Sequence, residues 1–157
     1  MANTPGVGYN FKYELMQGIH AFGPGGGGIP PARTVNVPDV LKLALFLQSA
    51  TRQPSDATYN STGELANSGN YTTGGKTLTT ATNPSLDTST GIFTPSANVT
   101  WSALTSSGAF DCAVMYNSSQ GNKQVGVFTF SVQTIVAADF TLTMPANTAA
   151  AALLRIV

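Results

Sequence analysis

The first periodic stretch of the chain runs from Phe11 to Phe22, where Phe11, Leu15, Ile19 and Phe22 recur at i, i+4, i+8 and i+11. That spacing places the four on one face of an amphipathic helix. Asn10 is the expected N-cap and Gly23 the expected stop. Gly18 weakens the helix, which therefore depends on docking against another element. The next stretch, Gly23 to Pro31, has four consecutive glycines and closes on two prolines, so it forms neither helix nor strand. It reads as a loop or arm that settles on assembly.

From Val40 the period changes to two. Leu41, Leu43, Leu45 and Leu47 alternate with Lys42, Ala44 and Phe46, the pattern of a core strand. Residues Thr51 to Gly75 are rich in Ser, Thr, Asn and Gly, with Tyr59, Leu65 and Tyr71 as isolated anchors. A loop this long inside a domain is expected to be a binding or contact element. Lys76–Thr82, Ile92–Thr94 and Val99–Ala103 are expected short strands, punctuated by Pro84, Gly91 and Pro95. The clearest hairpin joins Ala109–Tyr116 to Gln124–Val132, and the Gln120-Gly121-Asn122 centre of its turn supplies positions that tolerate positive φ. Phe140, Leu142 and Met144 alternate with threonines before Pro145, and Leu153–Val157 are expected to add a last strand.

The pattern predicts a mostly β chain: an antiparallel sandwich or barrel of about 7–9 short strands with one short N-terminal helix. Residues 1–38 form the helix and the Gly/Pro-rich arm, and residues 39–157 form the β domain.

Composition narrows the function. Only 9% of the residues are charged, against roughly 25% in a typical domain. Seven basic and seven acidic residues leave no formal net charge, hence little like-charge repulsion between copies. The polar surface is made of Ser, Thr, Asn and Gln, which suits a protein covered by neighbours. A secreted or glycosylated β domain has a similar composition, but the charge argument favours assembly. The basic residues Lys12, Arg33, Lys42, Arg52, Lys76, Lys123 and Arg155 are scattered singly, so no nucleic-acid partner is expected. Cys112 is the only cysteine, which excludes an internal disulfide and points to a buried thiol. No signal-peptide pattern and no run long enough to span a membrane is visible, so synthesis in a reducing cytoplasm and no membrane partner are expected.

Four features invite a chemical reading. Gly74-Gly75-Lys76-Thr77 resembles the end of a phosphate-binding loop, yet Asn70 stands at the first glycine position and a β-like run follows. A glycine turn feeding a strand is the favoured reading, because phosphate binding needs a helix N-terminus there. His20, the lone histidine, has only Glu14 near it in sequence, on a poorly matched helical face; a satisfied or solvent-facing side chain is expected. The acids Asp39, Asp56, Glu64, Asp87, Asp111 and Asp139 are expected mostly to bond nearby backbone amides in turns. Asn60, Asn70, Asn98 and Asn117 match the glycosylation acceptor pattern, as chance allows in a chain this rich in Ser and Thr. No catalytic, cofactor-binding or metal-binding residue is assigned, no cofactor is expected, and the chain is read as a non-enzyme.

Several segments, in order, resemble a family of small tailed-bacteriophage virion proteins. The matching pieces are Phe11 to Phe22, Leu41 to Ala50, Tyr59 to Glu64, Gly69 to Leu78, Val99 to Ser102 and Tyr116 to Asn122. They span nearly the whole chain, with the glycine- and proline-rich insert 23–38 departing from shorter versions of the family. The resemblance implies a component of the phage virion, made in the host bacterial cytoplasm, and does not by itself say where in the particle it sits. A neutral, β-rich domain with a separable N-terminal arm and a long polar loop suits a capsid decoration (cement) protein clamped over the phage head, which is the leading expectation. The partners expected of such a protein are the major capsid protein and copies of itself as a homotrimer, with the arm or the 51–75 loop ordered by the shell. The alternative is a head-to-tail connector, neck or tail component, and after it a receptor- or carbohydrate-binding module of the virion. A virion-borne cell-wall hydrolase comes last, for want of a visible nucleophile, metal or acid–base constellation.

Overall fold

The computed structural model describes residues 3–16, 19–20, 22, 39–79 and 84–157. Among them the chain is mostly β. In order come β1 (Gly6–Val7), α1 (Tyr9–Met16), β2 (Leu41–Leu47), β3 (Lys76–Thr77), β4 (Ser85–Asp87) and β5 (Thr90–Phe93). Then follow β6 (Val99–Leu104), β7 (Phe110–Asn117), β8 (Lys123–Gln133), β9 (Ala138–Leu142) and β10 (Leu154–Ile156). All pairings are antiparallel. They make a five-stranded sheet β1-β8-β7-β2-β3, a three-stranded sheet β10-β5-β4 and a two-stranded sheet β6-β9. The arrangement agrees with the antiparallel sandwich expected from the sequence. No helix among the described residues is long and apolar enough to cross a membrane.

Alternation along β2 decides what each face of the large sheet meets. Leu41, Leu43 and Leu45 pack with Ala113, Met115 and Val125 of the neighbouring strands in the main core. The small sheets close that core with Phe93, Trp101, Leu104, Phe140 and Leu154, and α1 adds Phe11. Phe110 meets Phe140 edge to face, ring centroids 5.0 Å apart. Each such side chain contributes roughly 1.5–3 kcal/mol on burial. The other residues of the large sheet, Ala44, Phe46, Cys112, Val114, Tyr116 and Val127, form a second buried cluster. Burial on both faces is why β7 is apolar almost throughout rather than at alternate positions. It also pushes the Cys112 thiol up to about 12.

The polar stretch 51–75 is what covers that second face, and its own chain holds it in place. Tyr59 stacks on Tyr116 with ring centroids 4.2 Å apart, and the Arg52 guanidinium lies 5.3 Å over the Phe46 ring. Further on, the stretch pairs with the edge of β2: Leu47 N–H donates to Gly63 O and Leu65 N–H to Leu45 O. The three anchors seen in the sequence are the residues that pack, Leu65 and Tyr71 in the main core and Tyr59 against the second cluster. The expectation that a shell orders this loop is therefore corrected, since internal contacts order it.

The N-terminal segment departs most from its pattern. The helix ends at Met16 instead of running to Phe22. Its N-cap is Gly8, whose carbonyl accepts from Lys12 N–H, and not Asn10, which lies inside the helix. A Cβ on Gly8 would lie 3.0 Å from Gln124 O, so the glycine permits close contact with β8. Phe22 still reaches the core, with its ring 5.7 Å from Phe11 and 4.8 Å from Phe93. β1 pairs with β8 and Phe11 of α1 is buried, so these two N-terminal elements pack on the strands that follow residue 39. The expected stop at Gly23, the arm 23–38 and the 80–82 end of the expected strand Lys76–Thr82 lie outside the described residues.

The remaining strands follow the expected positions within a few residues. β1 and β4, of two and three residues, were too short for a periodicity to reveal. In the β7–β8 turn Gly121 and Asn122 have φ of 63° and 59°, as their residue types predict.

Candidate functional site

A buried polar chain joins the two ends of the 21–38 stretch. The terminal amide of Asn117, the last residue of β7, donates to His20 Nδ1 at 2.9 Å and to Asp39 Oδ2 at 2.6 Å. Its carbonyl oxygen accepts from Ser119 N–H at 3.1 Å. Gln120 donates to the other Asp39 oxygen at 3.0 Å. His20 Nε2 lies 2.9 Å from Glu14 Oε2, and Lys123 pairs with the second Glu14 oxygen. Asn117 is fully buried, and Glu14, Asp39 and His20 nearly so.

The pattern of donors assigns the proton on His20. Nδ1 must accept from the Asn117 amide, so Nε2 carries the hydrogen and gives it to Glu14. Burial lowers the His20 pKa and outweighs the opposing pull of Glu14. Both ring nitrogens are used within the fold, which is the satisfied histidine expected. The expected mismatch with Glu14 is corrected. Because the helix stops at Met16 and Ile19 N–H bonds Glu14 O at 3.1 Å, the chain folds back and brings His20 onto Glu14. Asn117, one of the four glycosylation matches, is enclosed in this cluster.

A second buried hub forms around Glu64. Its Oε1 accepts from Tyr71 Oη at 2.5 Å and from Gly74 N–H at 2.7 Å, while Oε2 accepts from Tyr59 Oη. Tyr71 Oη also accepts from Leu45 N–H at 2.9 Å, and Tyr116 donates to Gly74 O at 2.7 Å. Burial first, then Glu64, drives the Tyr59 and Tyr71 pKa values well above the usual phenol range, and burial pushes Tyr116 up to about 12. This hub was invisible in the sequence, because its partners converge only once the loop wraps β2.

The same hub accounts for Gly74-Gly75-Lys76-Thr77. The Gly74 N–H faces Glu64, the turn runs into strand β3, and Lys76 Nζ donates to Thr100 O at 2.5 Å. Of the other acids, Asp56, Asp87 and Asp139 accept from the backbone N–H groups of Gln53, Ala149 and Ala103. Asp111 accepts instead from the Asn3 side chain. Among the described residues no group of three or more His, Cys, Asp and Glu is placed to hold a metal ion.

A large apolar cleft lies on the surface among the described residues. The cleft, of about 750 Å³, opens between α1 and β10, lined by Val7, Phe11 and Leu15 on one side and Leu154 and Ile156 on the other. Lys12 and Arg155 also line it, and none of the described residues along it is acidic. A smaller hollow of about 130 Å³ shares Phe11, Leu15, Leu154 and Ile156 and continues beneath the three-stranded sheet to Ser85. Apolar walls with a few polar groups characterise sites that take a partner. The sequence carried a partial signal for it, in the apolar C-terminal residues and the helix that needed docking.

In comparison with known proteins, the chain matches no family model, no curated protein and no solved structure.

Proposed function

We propose that this chain is a structural protein of a tailed-phage virion, a decoration protein seated against the major capsid protein on the outside of the head shell. The observation that carries the reading is the open apolar cleft between α1 and β10 on a chain with only 9% charged residues. Such a surface is suited to burial in an assembly of protein neighbours, further copies of the chain included, where hydrophobic burial supplies most of the association energy. The ordered resemblance to small phage virion proteins, from Phe11 to Asn122, supports the same reading. The His20 and Glu64 clusters are consistent with it, because their polar groups are spent on holding the fold.

Quantitative densitometry of purified virions tests the proposal. Hundreds of copies per particle are expected of a decoration protein. A dozen copies or fewer would move the chain to the neck or tail, and absence from the particle would remove it from the virion.

A further inference from the structure

The three-stranded sheet has a free edge on each side among the described residues, β10 at one and β4 at the other. Residues opposite one another on adjacent strands share a face, as do alternate residues along a strand. Leu154 and Phe93 are opposite partners and both lie in the main core, so they mark the inward face. Ile156, two residues beyond Leu154, lies on that face. So do its partner Gly91 and the residue opposite Gly91 on the next strand, Leu86. The row therefore starts at one edge with Leu86, 74% exposed, and ends at the other with Ile156, 58% exposed, beside the cleft. Lys12 and Arg155 line that cleft, while Asp87 follows Leu86.

We propose that the chain self-associates head to tail, the β4 edge of one copy lying along the β10 edge of the next with Leu86 seated in the cleft between α1 and β10. The incoming leucine continues the row at the place where it is unfilled. β4 and β10 are both antiparallel to β5, so they run the same way, and copies related by a modest rotation join them as a parallel pair. Parallel pairing is slightly the weaker ladder, and the apolar contact of Leu86 with Ile156 and the helix is the main attraction. Asp87 and Arg155 each lie one residue from that row and share the opposite face of the sheet, so pairing the two edges brings complementary charge together, and the zero net charge of the chain opposes association little. A second copy is the occupant because the same sheet carries both halves of the contact. The contact is heterologous, so it closes into a ring if its rotation permits and otherwise extends. This inference rests on the fold and holds whether or not the chain belongs to a virion.

Light scattering on the size-fractionated pure protein, at concentrations up to the order of 100 μM, tests it. The wild type is expected above monomer mass. Leu86→Lys sets a cation against Lys12 and Arg155, and Ile156→Asp sets an acid against the Asp87 edge; each is expected to be monomeric. Each variant keeps the half that the other lacks, so an equimolar mixture is expected to form a one-to-one dimer and nothing larger. An unchanged circular dichroism spectrum and a cooperative thermal transition verify folding, and Leu86→Ser replaces the lysine variant if that one does not fold. A monomeric wild type, or a mixture that stays monomeric, overturns the proposal. Association lost in Ile156→Asp but kept in Leu86→Lys also overturns it, in favour of a two-fold β10-to-β10 contact.

Discussion

The Asn117 amide donates to His20 Nδ1 across 2.9 Å, linking residues 97 positions apart. The bond fixes a neutral imidazole, because a proton on Nδ1 would face the amide hydrogens. The same amide holds Asp39, so the residues flanking the 21–38 stretch are fastened to a single side chain at the end of β7.

Stability is expected to fall in mild acid through this contact. The folded-state pKa of His20 is below its ordinary value of 6.5, with burial the largest cause and Glu14, Asp39 and Lys123 as the charged neighbours. The unfolded chain then binds more protons as pH falls through that range, so the His20 contribution is complete above pH 6.5 and is lost below it. Urea midpoints of wild type and His20→Gln at about pH 7.5 and about pH 5 check this. The wild type should lose more stability between the two; equal losses would contradict the assignment. Asn117→Ala should cost about 2–4 kcal/mol at neutral pH, since it strands two buried partners at once.

At Glu64 the cost should depend on the chemistry of the replacement rather than on charge. Glu64→Gln keeps Oε1 for Tyr71 and Gly74, and its new amide donates to the Tyr59 oxygen, so the loss should stay below about 1 kcal/mol. Glu64→Ala leaves three donors without an acceptor and should cost about 2–4 kcal/mol. The raised tyrosine pKa values also have a sign. Above pH 10 the unfolded chain releases phenolic protons that the folded chain retains, so stability falls as pH rises from there. Absorbance titration near the phenolate band, alongside unfolding monitored by circular dichroism, checks the coupling. Phenolate from Tyr59, Tyr71 or Tyr116, isolated by difference from the corresponding Phe variants, appearing well before unfolding would refute it.

Local chemistry explains what was legible in the sequence. The alternation in β2 and the Gln-Gly-Asn turn of the β7–β8 hairpin are short-range signals, and both are realised. The helix was overextended because Ile19 and Phe22 fall at helical spacing. Phe22 instead reaches Phe11 and Phe93 after the chain has left the helix, so tertiary contact imitates a periodicity. The 51–75 stretch looked like a free contact loop because its Ser, Thr, Asn and Gly carry no pattern. Its packing depends on Tyr59, Leu65 and Tyr71, whose partners lie on other strands. The cleft depends on α1 and β10 meeting, from opposite ends of the chain, which no local window reports.

Removal of residues 1–38 is expected to unfold the chain rather than merely release it from a partner. The deletion takes β1 from the edge of β8 and Phe11 from the core, a loss of about 3–5 kcal/mol for the phenylalanine alone. It also strips Lys123 and Asn117 of Glu14 and His20. Against a typical stability of about 5–15 kcal/mol, no cooperative thermal transition should remain. A folded 39–157 fragment would show that the N-terminal segment is an accessory after all.

Gly75 and Gly121 separate two reasons for a glycine. Both have positive φ, 67° and 63°, so an alanine at either carries the left-handed cost of about 1–2 kcal/mol. At Gly121 a Cβ meets nothing within 4 Å, whereas at Gly75 it would lie 2.0 Å from Leu43 O and 2.6 Å from Ala44 Cα. The turn before β3 is pressed against the backbone of β2, and only the absence of a side chain lets β3 pair there. Gly121→Ala should therefore cost only the conformational term. Gly75→Ala should cost well over about 3 kcal/mol, because backbone atoms must separate and β3 must leave the sheet. Denaturant midpoints of the two variants check the contrast, and hydrogen exchange at Leu78 N–H, which donates to Leu41 O, should rise in Gly75→Ala alone. Equal costs at the two positions would mean that the 72–75 turn can lift away from β2 without loss, and the tight packing of that turn would no longer account for Gly75.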